Sequence, residues 1–195
     1  MQNEEQHIHL WQAFKNGDRQ AFSTIYNVYI EDLLSYGYRV TTDRQLIRDS
    51  IQDLFLQLWQ SRNSLTDTDS IRFYLYGSLR NRIVRNTEKN PIQTIDSTDL
   101  FDNIIGALSF EDDLIAMERL TEQKQRLKRA ISELPKRQQE ILQLRYYHDF
   151  SLEEISNIMQ INNQSVRNLL HRAITDLREY FSFLLIIISR FSDLL

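Results

Sequence analysis

The side chains best placed to do chemistry in this chain lie in SLEEISNIMQINNQSVRNLLHRAITDLREY, residues 151–180. Ser151 followed three positions later by Glu154 is a capping box that opens a helix. Ile155 and Ile158 give that helix an apolar face, and Ile161-Asn162-Asn163 reads as a short turn, with Asn tolerating left-handed backbone angles. A second helix is expected from about Gln164, burying Val166, Leu170, Ala173, Ile174 and Leu177. Gln164, Arg167, Asn168, His171, Thr175 and Arg178 fall on its outer side, with Ser165 in its first turn. Arg can pair with guanine, and Asn or Gln with adenine, so the pattern suits a helix-turn-helix reading a major groove. An ordinary helical hairpin is the plainer alternative.

A second set lies upstream. On a helix expected from near Ile71, Tyr76, Leu79 and Ile83 face inward, while Tyr74, Ser78, Asn81, Arg82, Arg85 and Lys89 share the far side. Cations neutralise phosphates, amides and hydroxyls bond base edges, and a tyrosine ring can stack on an unpaired base. That mixture suits melted DNA better than a closed duplex. The polar stretch SRNSLTDTDS before it could shape a pocket for a flipped base.

A third set has the chemistry of a protein interface. Ile47, Ile51, Leu54, Phe55 and Leu58 form a core-facing stripe. The opposite face carries Asp49, Gln52, Asp53, Leu56 and Gln60, with Trp59 at its border. An apolar centre inside a polar rim is how docking patches are built, although single exposed leucines are common.

Catalytic constellations are not visible. His7 and His9 make only an HxH pair, His148 and His171 stand far apart, and no nucleotide loop, metal-ligand cluster or activated nucleophile is recognisable. No cofactor, metal or small-molecule substrate is expected, and the four His read as surface or packing residues. With no Cys there is neither a disulfide framework nor a thiolate metal site, which fits a reducing, cytoplasmic setting. The acidic, polar start MQNEEQHIHL lacks a signal-peptide plan, and the longest wholly apolar run, Phe183 to Ile188, is far shorter than the roughly 20 residues that span a bilayer.

The elements that position these sets read as all-α. Only four Gly and two Pro occur in 195 residues. A first helical block runs from about Ile8 to Glu88 and ends at Asn90-Pro91. A second starts near Glu111 and reaches about Tyr180, interrupted at Leu134 by Pro135 as the first residue of a new helix. Leu127, Ile131, Ile141 and Leu144 should help to close its core. Net charge is −4, but Arg72 to Lys89 is locally +4, Asp96 to Glu122 locally −7, and Lys124 to Arg137 basic again. Two nucleic-acid-facing modules joined by an acidic connector would produce that order, as would solvated helix faces.

Taken together, the motifs resemble an extracytoplasmic-function sigma factor of the sigma-70 family. NGDRQAFSTIYNVYIEDLL, IRDSIQDLFLQLWQSR and FYLYGSLRNRIVRN resemble region 2, and ISELPKRQQEILQLRYYHDFSLEEISNIM with QSVRNLLHRAITDL resembles region 4. The resemblance implies region 2 over 1–89, a linker over 90–110, region 4 over 111–180 and an apolar tail over 181–195. It implies an alternative sigma factor, not an enzyme, that binds core RNA polymerase (β′ clamp helices and β flap) and promoter DNA. A membrane-anchored anti-sigma factor is the further partner implied. Docking would fall on Asp49, Gln52, Asp53 and Leu56, with Trp59 beside them. The −10 element would fall on Tyr74, Ser78, Asn81, Arg82 and Arg85, and the −35 element on Gln164, Ser165, Arg167, Asn168, His171 and Arg172. Tyr74 stands where the family often has Trp, Leu169 where it often has a basic residue, and Asn162-Asn163 where it usually has a Gly-containing turn. The linker, threaded through the polymerase cleft in the family, could follow a basic path. A stand-alone helix-turn-helix regulator is the competing reading, and it leaves the Leu56 patch and the Tyr74 helix idle. The tail, FSFLLIIISRFSDLL, should pack on something, either the second domain or a partner.

Overall fold

The computed structural model describes the backbone of residues 2–68, 70–89 and 125–192, and side chains over 7–68, 70–87 and 125–181. Every regular element among these residues is helical: α1 (Gln2–Lys15), α2 (Arg19–Val40), α3 (Arg44–Gln60), a 3-10 turn (Arg62–Ser64), α4 (Ile71–Lys89), α5 (Lys136–Leu142), a π-helical turn (Gln143–Tyr147), α6 (Leu152–Met159) and α7 (Asn163–Ser192). Residues 125–133 are helical as well. The chain divides into two compact units, one built on α1 to α4 and the other around α5 and α7. The expected linker, 90–110, and the expected start of region 4, 111–124, lie outside the described residues.

In the first unit the starts of α2, α3 and α4 are each fixed by a side-chain cap. Asp18 accepts from the Gln20 and Ala21 amides at 2.7 and 3.2 Å, Asp43 from the Leu46 amide at 3.0 Å, and Ser70 Oγ from the Phe73 amide at 3.1 Å. Gly17, at φ +90, makes the turn between α1 and α2. The expected α3 stripe of Ile47, Ile51, Leu54, Phe55 and Leu58 is buried. It meets Ile25 and Leu33 of α2 and Leu75, Tyr76, Leu79 and Ile83 of α4 in a common core. Trp11, Phe14, Phe22 and Trp59 form an aromatic cluster on one side of it, with Phe22 and Trp59 centred 5.1 Å apart.

Gly37 marks a close approach of α2 and α3, since a Cβ there would sit 2.6 Å from Ile47 Cγ2. Gly37→Ala should gain about 1 kcal/mol of helix propensity and lose about 1–3 kcal/mol to overpacking. The expected outcome is a net destabilisation seen as a lower urea midpoint with an unchanged slope. An unchanged or raised midpoint would mean the two helices part there without cost.

In the second unit, Gln139 Nε2 donates to the Ser132 and Leu134 carbonyls at 3.1 and 2.7 Å, closing the end of the 125–133 helix. Gln138 Nε2 donates to Asp176 Oδ2 at 2.8 Å, joining α5 to α7. Pro135 is the N-cap of α5, one residue earlier in the helix frame than expected. Ile141 and Leu144 are buried as expected and Ile131 is half-buried, but Leu127 is 44% exposed. Burial on that helix begins one turn later, at Ala130 and Leu134.

Two further expectations are corrected here. The turn before α7 does not use Asn in a left-handed conformation; Gln160 takes that position, at φ 53. Asn162 is instead spent as the cap of α7, its Oδ1 accepting from the Ser165 amide at 2.7 Å. The second block also does not end near Tyr180. α7 continues to Ser192 because residues 181–192 contain neither Gly nor Pro to stop it.

Candidate polymerase and nucleic-acid interfaces

The outer face of α3 presents Asp49, Gln52, Asp53 and Leu56 to solvent together, and the Leu56 side chain is 53% exposed. Gln45 Nε2 donates to Asp49 Oδ1 at 2.8 Å, which holds that carboxylate in place along the face. Trp59 does not join them. Its half-buried ring packs on Phe22, and the Arg62 guanidinium lies over it, 4.6 Å from the ring centre. A border position on the helix left both directions open, and the aromatic cluster decided between them.

A groove of about 240 Å³ runs between α3 and α4. Tyr74, Ser78, Asn81, Arg82 and Arg85 line one wall, and Leu54, Gln57 and Leu58 the other. All five residues expected to face the −10 element therefore open on one cavity. Gln57 was not anticipated, because nothing local in the sequence links it to a helix that starts fourteen residues later. Arg82 donates through Nη2 to Gln57 Oε1, while its Nε is buried with no hydrogen-bond partner. A buried donor left unpaired is costly, so an incoming acceptor oxygen gains by entering there. Arg85 is exposed, and the half-buried Tyr74 ring lies 5.5 Å from that of Trp11. The Lys89 side chain lies outside the described residues.

In the second unit the capping box forms as expected: the Ser151 amide donates to Glu154 Oε2 at 2.8 Å, and the Glu154 amide to Ser151 Oγ at 3.2 Å. Ile155 in α6 is buried, and so are Val166 and Ala173 of α7. Gln164, Arg167, Asn168, His171 and Arg172 are exposed along the other side of α7, while Ser165 is half-buried. Gln164 Nε2 donates to Asn168 Oδ1 at 3.0 Å, one helical turn away. That bond leaves the Asn168 amide nitrogen as the outward donor.

His148 is almost fully buried, its ring between those of Tyr147 and Phe150, and His7 Nδ1 lies 3.4 Å from the Tyr29 hydroxyl. Among the described residues no group of three or more His, Asp or Glu side chains is placed to hold a metal ion. No helix among them is long and apolar enough to cross a membrane.

Comparison with known proteins finds matches along both helical parts of the chain. Residues 25–90 match the family model for Sigma-70 region 2, and residues 124–177 that for Sigma-70, region 4. The chain is 28% identical over 149 residues to the ECF RNA polymerase sigma factor SigM of Bacillus subtilis (strain 168), covering 76% of this chain and 88% of that protein. It is 25% identical over 184 residues to the RNA polymerase sigma-H factor of Pseudomonas aeruginosa, covering 89% and 92%. In fold it is similar to CnrH, solved in complex with the cytosolic domain of CnrY, at a TM-score of 0.57 and 15% identity over 89% of this chain and 95% of that one. It is also similar to the sigma factor RpoE from Bartonella quintana, solved with the anti-sigma factor NepR, at 0.55 and 18% over 83% and 96%. With both regions matched in order, and the helices that carry them in place, the chain belongs to the sigma-70 family as an alternative sigma factor of the extracytoplasmic-function group.

Proposed function

We propose that this sigma factor divides its work among three surfaces: the outer face of α3 docks on core RNA polymerase, the α3–α4 groove holds the melted −10 element, and α7 reads the −35 element. The observation that carries the reading is the pair α3 and α4. One pair of helices offers an exposed leucine among carboxylates and amides, and also a cation-lined groove with a tyrosine at its edge. A regulator that only bound duplex DNA would have no use for either. The polymerase supplies the catalysis, and the chain acts as a non-enzymatic specificity subunit in the cytoplasm. The −10 side uses Arg82 and Arg85 on phosphates, Asn81 and Ser78 on base edges and Tyr74 as a stacking platform. An anti-sigma factor is the regulatory partner, as in the solved complex of the similar RpoE with NepR. The segments proposed are region 2 over 1–89, a linker over 90–110, region 4 over 111–180 and an apolar tail over 181–195. Retention of core polymerase on the immobilised protein tests the reading at once. Binding to promoter duplex without any binding to polymerase would favour a stand-alone regulator instead.

Base reading by α7 carries its own expectation. Asn168→Ala should relax preference at one −35 base pair by about 1–3 kcal/mol if the contact is bidentate. Gln164→Ala should weaken preference at the same position less, because it removes only the side chain that orients the Asn168 amide. Arg172, nearer the flank of the helix, should weaken all sequences alike through a phosphate contact when replaced by Ala. Binding-site selection with each variant is the check, and identical −35 preferences in wild type and Asn168→Ala would remove Asn168 from the readout.

A further inference from the structure

α1 lies before the stretch that matches region 2, which begins at residue 25, yet it reaches the elements around the −10 groove by four separate contacts. Trp11 Nε1 donates to the Thr66 carbonyl at 3.2 Å, and the Trp11 ring packs 5.5 Å from that of Tyr74. One buried side chain therefore touches both the loop before α4 and the aromatic at the groove edge. One position on, Gln12 Nε2 donates to Asp67 Oδ1 at 2.8 Å, and Lys15 Nζ donates to the same oxygen. The Lys15 and Gln12 hydrogen bonds hold the Asp67 carboxyl below the usual carboxylate range.

The loop is also tied to α4 at its far end. Ser70 accepts the Phe73 amide, and the Ser70 amide donates to Thr68 Oγ1 at 3.2 Å. Fixing Thr66 and Asp67 on α1 therefore fixes the entry into α4 and the setting of Tyr74. Asp67 itself is open to solvent, with its side chain 70% exposed. An exposed carboxylate holding two side chains of a distant helix adds to the grip that Trp11 has on the loop.

We propose that the C-terminal half of α1 is a positioning element of the −10 site: Trp11, with Gln12 and Lys15 acting through Asp67, holds the loop before α4 and the Tyr74 ring in the geometry that accepts unpaired bases. The proposal rests on the reading of the α4 groove as the −10 site. Trp11, Gln12 and Lys15 act through the loop and Tyr74 rather than by touching DNA.

The test uses the full chain assembled with core polymerase, and reads both holoenzyme formation and permanganate reactivity of melted thymines on a promoter. Asp67→Ala and Trp11→Phe are the variants, with Arg85→Ala as the comparison. Trp11→Phe keeps a ring beside Tyr74 and removes the N–H donor; Asp67→Ala removes the exposed clamp without touching the core. Both should form holoenzyme and bind closed promoter like wild type, while permanganate reactivity falls severalfold, the scale of losing a neutral hydrogen bond or an exposed ion pair. Asp67→Glu, which can still reach Lys15, should recover most of it. If Asp67→Ala keeps full reactivity while Arg85→Ala loses it, α1 does not position the site. If Arg85→Ala keeps full reactivity as well, the −10 reading of the groove falls, and the proposal with it.

Discussion

Leu56→Asp should abolish holoenzyme formation while leaving the thermal unfolding of the protein unchanged. Leu56 is more than half exposed at the centre of the α3 face, so a charge there meets water in the free protein. In a complex the same position becomes a desolvated apolar contact, and truncating such a centre costs about 2–4 kcal/mol. A buried carboxylate adds to that loss. Binding should weaken by at least thirtyfold, read by co-elution with core polymerase on a sizing column or by fluorescence anisotropy. Asp49→Lys with Asp53→Lys should slow association and make it less sensitive to salt, because rim charges act chiefly on the encounter. Unchanged holoenzyme formation by Leu56→Asp would remove this face from the interface.

Arg85→Ala should lower the salt dependence of open-complex formation by about one phosphate contact, a slope change of about 0.7–0.9 in log K against log salt. Arg85 is exposed on the groove rim, so its removal reports the DNA contact with little structural cost. Arg82→Ala should do more harm, since Arg82 also bonds Gln57 across the groove and its loss loosens the wall. Tyr74→Ala should spare initial promoter binding and harm melting, because stacking contributes only once bases are unpaired. Identical permanganate footprints in wild type and all three variants would show that α4 is not the melting element.

The parts of this molecule that were legible in the sequence are those set by neighbours within a turn or two. The Ser151–Glu154 box, the α3 stripe and the outward row from Gln164 to Arg172 depend on helical period and capping chemistry, and all appear where the spacing puts them. Leu56 was legible for the same reason, as the apolar member of a face whose other members are polar. Contacts between residues distant in sequence were not legible. Arg82 and Gln57 are 25 residues apart, and Trp11 and Thr66 are 55 apart. No periodicity reports such pairs, so the role of α1 beside the groove stayed hidden. Asn162 shows a different limit. Its side chain suits both a left-handed turn and a helix cap, and the cap won because an unpaired amide at the start of α7 needed an acceptor.

Run-off transcription tests the account most directly: core polymerase is incubated with fragmented genomic DNA, with and without the protein, and the 5′ ends of the transcripts are sequenced. Discrete start sites should appear only with the protein, share elements near −10 and −35, and vanish with Leu56→Asp. The absence of protein-dependent starts, from a core preparation active with another sigma factor, would contradict the account.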